Sequence, residues 1–179
     1  MLKITIPSAE YFDERTNRFF TIHGQDLQLE HSLVSISKWE SKWKKPFLGK
    51  DPKTREETID YVRCMNRTQN VDPEVFKGLT EQNIRDVNAY IDDPMTATTF
   101  NNSRRKSSRQ IVTSEIIYYW MISLEIPMEC QKWHLNRLLT LIRVCDEKNQ
   151  PGKKMSRRDV MNQNRALNRA RKAKSGSHG

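Results

Sequence analysis

Cys130 and His134 stand four residues apart on a predicted helix, a spacing that puts two soft metal ligands on one face. A zinc site needs two more, and the remaining candidates, Cys64, Cys145, His23 and His31, are isolated along the chain. A buried cysteine beside a hydrogen-bonded histidine is the better reading. As a nucleophile couple the pair is weaker still, because a helix-borne Cys–His arrangement has no loop to orient it. Asp92 and Asp93 are adjacent, and adjacent side chains point apart on any regular element, so they read as a helix stop rather than as paired acid and base. Neither GxGxxG nor GxxxxGK[ST] occurs, and six glycines in all leave no support for a loop that cradles nucleotide phosphates. These residues predict a protein that is not an enzyme, with no cofactor and no metal.

Two features suit binding rather than catalysis. Trp39 and Trp43, an i,i+4 pair followed by Lys44, Lys45, Pro46 and Phe47, have the makings of a stacking platform for single-stranded nucleic acid. The same pair serves equally as a core or interface anchor with lysines at its edge, and that is the commoner use. The second feature is charge. Residues 151–179 hold nine of the 31 Lys/Arg against one acid, Asp159, and so carry +8 of the net +9. The body is nearly neutral. Such an arm reads as polyanion-binding or as a helix that folds on a partner. Arg104, Arg105, Lys106 and Ser107 form a shorter basic stretch, read as a solvated loop.

These residues need elements to hold them. A chain of 179 residues with 36% apolar and 30% charged content is one domain with a modest core plus an arm, which excludes a large multidomain enzyme. The predicted division is a body over 1–150 and a basic, conditionally helical arm over 151–179. Leu2–Ile6 and Phe20–His23 alternate apolar and polar around a polar stretch, predicting a small N-terminal β-hairpin, with Leu27–Leu29 as a third short strand. From Ser32 the period turns helical. About five helices follow, the first ended by Pro46 and the second started by the capping box Thr54/Glu57. Thr80 caps a third, which Asp92-Asp93-Pro94 stops. Thr113 or Ser114 caps a fourth, apolar on nearly every side from Ile116 to Ile122 and therefore expected at the centre of the core. The fifth is expected from about Met128 to Asp146, packed on the fourth as a helical hairpin. The fold class is thus mainly α with a small N-terminal β-hairpin (α+β). Three widely spaced cysteines and no apolar signal run predict an intracellular, reducing location, and the longest apolar run, seven residues, is too short for a membrane span.

Several segments resemble one bacteriophage family. They are Ser37–Leu48, Thr58–Met65, Asp93–Thr98, Glu115–Met121, Gln131–Cys145, Lys153–Ser156 and Arg165–Arg171, which keep their order over most of residues 27–174. The family is that of the tail assembly chaperones of long-tailed phages, and Gln131–Cys145 is its most specific block here. The resemblance implies a non-enzymatic factor in the host cytoplasm. Such a factor coats the tape measure protein, helps recruit tail tube protein, and leaves before the virion is finished. It also implies that a longer frameshifted product can exist. Trp39, Trp43, Phe47 and Trp133 are the aromatics expected at a groove for client helices, and Arg165, Leu167 and Arg169 the arm residues expected on the client. Self-association would shield the apolar face, and the arm adds a weak affinity for nucleic acid. The alternatives are a nucleic-acid-binding regulator that uses the arm, and a structural tail or connector protein.

Protein purified without added metal is expected to contain no stoichiometric zinc by mass spectrometry. Zinc at one per chain, lost in Cys130→Ala, would contradict the reading of the Cys130/His134 pair.

Overall fold

A computed structural model describes residues 1–13, 17–100, 111–149 and 157–175. The described chain is mainly helical with a small N-terminal β structure. It divides into two compact units, Met1–Cys145 and Asp146–Gly179.

The β structure is a two-stranded ribbon. Strand β1 (Leu2–Ile6) pairs with β4 (Gln25–Leu29), and β2 (Ala9–Asp13) pairs with β3 (Arg18–Ile22). Ile6 opposes Gln25 and Ala9 opposes Ile22, so one register runs through the interruption at Pro7–Ser8 and His23–Gly24. Gly24 is required there: its N–H donates to Ser8 Oγ at 2.8 Å, and a Cβ would lie 3.0 Å from the Ser8 nitrogen. Leu27–Leu29 is therefore not a third strand beside a hairpin but the direct partner of β1. Leu27 faces Ile4 across the ladder, and both are buried. The outer edge of β4 is covered by the chain after α2, where Glu30 N–H reaches Met65 O and Arg67 N–H reaches Gln28 O.

Helix α1 (Leu33–Trp43) opens on a Ser32/Ser35 capping box and buries Leu33, Ile36 and Trp39. It ends at Lys44, which takes a left-handed conformation (φ 55°) one residue before the chain turns toward Pro46. Helix α2 (Arg55–Met65) starts on the Thr54/Glu57 box that the spacing predicts. A 3-10 turn at Pro73–Gly78 leads to α3 (Glu81–Asp92), capped by Thr80 and ended before Asp93-Pro94. Asn83 Nδ2 also donates to Thr5 O, tying α3 to β1.

The structure corrects the next two elements. Helix α4 (Ser114–Ser123) is not central: it buries Ile117 and Met121 but leaves Tyr119 and Ile122 in solvent. It packs chiefly against α1, and α1 is the helix buried most. All-round apolarity says that a helix has no polar face, not that the fold covers every face. The expected helix from Met128 is broken. A 3-10 turn spans Met128–Lys132, Trp133 is extended, and α5 (Leu135–Asn149) begins only at Leu135. The break comes from a competing backbone bond: His134 bridges to Ser32, and Leu135 N–H donates to His31 O at 2.7 Å.

One carboxylate joins these pieces. Glu40, buried on α1, accepts Phe47 N–H through Oε1 at 2.7 Å and Ser114 N–H through Oε2 at 2.8 Å. Thr113, at the N-cap position, gives α4 no side-chain cap. Its hydroxyl serves instead, after the Glu115 backbone N–H, to hold the Glu115 carboxyl below its ordinary range. Glu40→Ala leaves two N–H groups unsatisfied and is expected to cost about 3 kcal/mol of stability by urea denaturation. Glu40→Gln, which keeps one acceptor, should cost less; equal stability of Glu40→Ala and the parent would contradict this account.

Candidate functional site

The aromatic candidates separate by burial. Trp39 is 1% exposed, and its indole N–H donates to Glu57 O at 2.9 Å. Trp43, half-buried, stacks on Trp39 with ring centroids 6.2 Å apart and donates to Asp60 Oδ2. Phe47 is buried against Tyr61, ring centroids 4.0 Å apart, with Lys53 Nζ 4.2 Å above its ring. Lys42 pairs with Asp60 and Lys45 with Glu57, so the lysines that flank the tryptophans neutralise α2 carboxylates. Trp39 and Phe47 are thus core residues, and their expected place at an open groove is corrected. Both indole donors are spent on α2, which settles the segment as the α1–α2 seam. Trp133, half-buried under the Arg137 guanidinium at 4.3 Å, keeps some access.

The Cys130/His134 pair does not form on one helix, because the break at Trp133 separates them. His134 Nε2 lies 2.9 Å from Tyr90 O, which can only accept, and Nδ1 accepts Asn136 N–H. Both ring nitrogens are thus engaged by backbone. Burial pushes the Cys130 thiol up from its ordinary range, and the half-buried Cys64 thiol up to about 11. Neither is a thiolate at neutral pH. Among the described residues, no three of His, Cys, Asp and Glu gather as metal ligands would. A cleft of about 340 Å³ lies beside β3 and the Pro73–Gly78 turn, lined in part by His23, Asn70, Asp72 and Glu74. Asp72 is already engaged there as the cap of the turn, accepting Glu74 N–H.

Two apolar patches stay open: the Phe12/Phe19 pair on the β ribbon, ring centroids 4.9 Å apart, and the outer face of α4. Tyr119 is 66% and Ile122 68% exposed, and Ile116 and Trp120 on the flanks are half-buried. Just beyond the helix, Met128 is 43% exposed. Tyr118 donates to Gln131 Oε1 at 2.9 Å, so α4 and the Met128–Lys132 turn are fastened together. Single exposed apolar residues are ordinary, whereas two large ones a helical turn apart make a face. The sequence signal was the apolar run itself, read as core. In the second unit Arg165, Leu167 and Arg169 are all exposed on α6 (Arg157–Ser175). The basic stretch from Arg104 to Ser107 and the segment Lys153–Ser156 lie outside the described residues.

Beneath the surface, His31 sits between Tyr61 and His134. Its Nδ1 shares a 2.5 Å hydrogen bond with Tyr61 Oη, and the two imidazoles stand edge to face at 5.1 Å. Burial first, then His134, holds the His31 pKa down to about 3. The folded state then binds fewer protons than the unfolded chain between pH 6.5 and about 3, so stability falls as pH drops through that window. The parent is expected to lose about 2 kcal/mol between pH 7 and 5. His31→Gln should start lower and lose much less over the same interval. Equal losses in urea titrations of the two proteins would contradict the assignment.

No protein-family model, no curated protein and no solved structure matches the chain. Its function has to be read from its own surfaces.

Proposed function

We propose that this protein is a tail assembly chaperone of a long-tailed phage. It acts in the host cytoplasm, without catalysis, by holding helical segments of the tape measure protein and assisting addition of tail tube protein. The observation that carries the reading is the open apolar face of α4, with Tyr119 and Ile122 outward on a helix anchored by Glu40. A helix with an apolar stripe, as a tape measure presents, is the occupant such a face suits: large side chains one turn apart take i/i+3/i+4 anchors from the client. The segment resemblance supports the same reading, since its Glu115–Met121 block includes Tyr119, and Gln131 of its Gln131–Cys145 block bonds Tyr118 of α4. The client surface is thereby assigned to Tyr119, Ile122, Met128 and Trp133. No helix among the described residues is long and apolar enough to cross a membrane. Between clients, self-association through the same face would keep it from water.

Co-expression with the tape measure protein of the same phage tests this. The parent chain is expected to keep the tape measure soluble and to co-purify with it. Tyr119→Ser with Ile122→Ser should reduce recovery several-fold while changing the chaperone's own stability by only about 0.5 kcal/mol, because both side chains are exposed. A tape measure that stays insoluble beside the parent chain would refute the proposal.

A further inference from the structure

We propose that α6 is a DNA-reading helix, which enters the major groove of duplex DNA and grips it with one face. Arg158, Asn162, Arg165 and Arg169 follow one another at steps of four, three and four residues, which on an α-helix keeps them on one side. All four are exposed, and the row is about 17 Å long. Lys172 continues it by one more step of three. The only acid in the sequence of the helix is Asp159, in its first turn. The charge is fixed, because arginine stays protonated at every physiological pH.

Two other partners fit less well. A protein groove needs apolar anchors at i/i+3/i+4 spacing along one stripe, and the large apolar residues of α6 that align are just Val160 and Leu167, seven residues apart on the side away from the arginine row. A merely acidic surface needs charge alone. Here Asn162 stands within the row, between Arg158 and Arg165. An amide side chain pairs bidentately with an adenine edge, while the arginines on either side of it are placed to meet phosphates. A helix about 10–12 Å across matches the roughly 12 Å major groove of B-DNA, whereas the A-form RNA groove is too narrow and deep for it. The inference does not rest on the chaperone reading, which uses α4.

The test is fluorescence anisotropy of the full-length chain with a short labelled DNA duplex of mixed sequence. Three phosphate contacts predict a roughly forty-fold loss of affinity between 50 and 200 mM salt. The triple variant Arg158→Gln, Arg165→Gln, Arg169→Gln should lower the logarithmic salt slope by about three. Glutamine keeps helix propensity close to that of arginine, and circular dichroism checks that α6 persists. Leu167→Ser, and Tyr119→Ser with Ile122→Ser, should leave DNA affinity within about twofold, as neither touches the phosphate row. An unchanged salt slope in the triple variant overturns the proposal. So does tighter binding of an RNA duplex of equal length, or competition by polyglutamate as effective as that by unlabelled DNA.

Discussion

The body is organised around a carboxylate that leaves water. Glu40 is 7% exposed, and its two oxygens accept backbone N–H groups from Phe47, just past the end of α1, and from Ser114, 74 residues on. Burying a carboxylate is costly unless it is hydrogen-bonded, and here its partners are donors that would themselves be costly to leave unpaired. Ser114 N–H is one of the free donors at the start of α4, where the helix dipole also favours negative charge. One group thus closes the turn after α1 and fixes where α4 begins. The Trp39–Glu57 and Trp43–Asp60 bonds then lock α2 to α1. Helix α1 is consequently the axis of the body, although nothing in its composition is as apolar as α4.

Much of the fold was legible because its signals are local. Thr54/Glu57 and Thr80 are read from spacing alone, since a cap involves residues three apart. Asp93-Pro94 stops a helix for equally local reasons. The failures all involve distant partners. Periodicity marks Ile116–Ile122 as apolar but cannot count the neighbours available to cover it, so Tyr119 and Ile122 came out exposed. The helix expected from Met128 had to yield at His134 because residues 31 and 32 supply backbone partners about a hundred positions upstream. Leu27–Leu29 alternates as a strand does, but alternation does not name its partner, because register is set by burial on both strands at once.

The candidate site shows the same limit in sharper form. A tryptophan pair at i,i+4 looks the same in sequence whether its indoles face a ligand or a neighbouring helix. What decides is the hydrogen-bond donor, and Glu57 O and Asp60 Oδ2 take both. Charge is easier to read than apolarity, because a charged side chain stays at the surface wherever its element goes. The basic row on α6 can therefore be drawn from the residue spacing, whereas the open face of α4 cannot.

The Glu40 cap also imposes an order in time. Helix α4 has no cap of its own, and the group that supplies one lies 74 residues earlier. On a ribosome adding about 5–20 residues per second, α1 and α2 are complete several seconds before Ser114 emerges. Their seam buries Trp39 and positions the carboxylate in advance. When Ile116–Ile122 leaves the exit tunnel, a finished docking surface already awaits it, and the most adhesive stretch of the chain spends little time as a free strand-forming segment. A chain permuted so that residues 111–149 came first would lose that protection even if its final fold were identical.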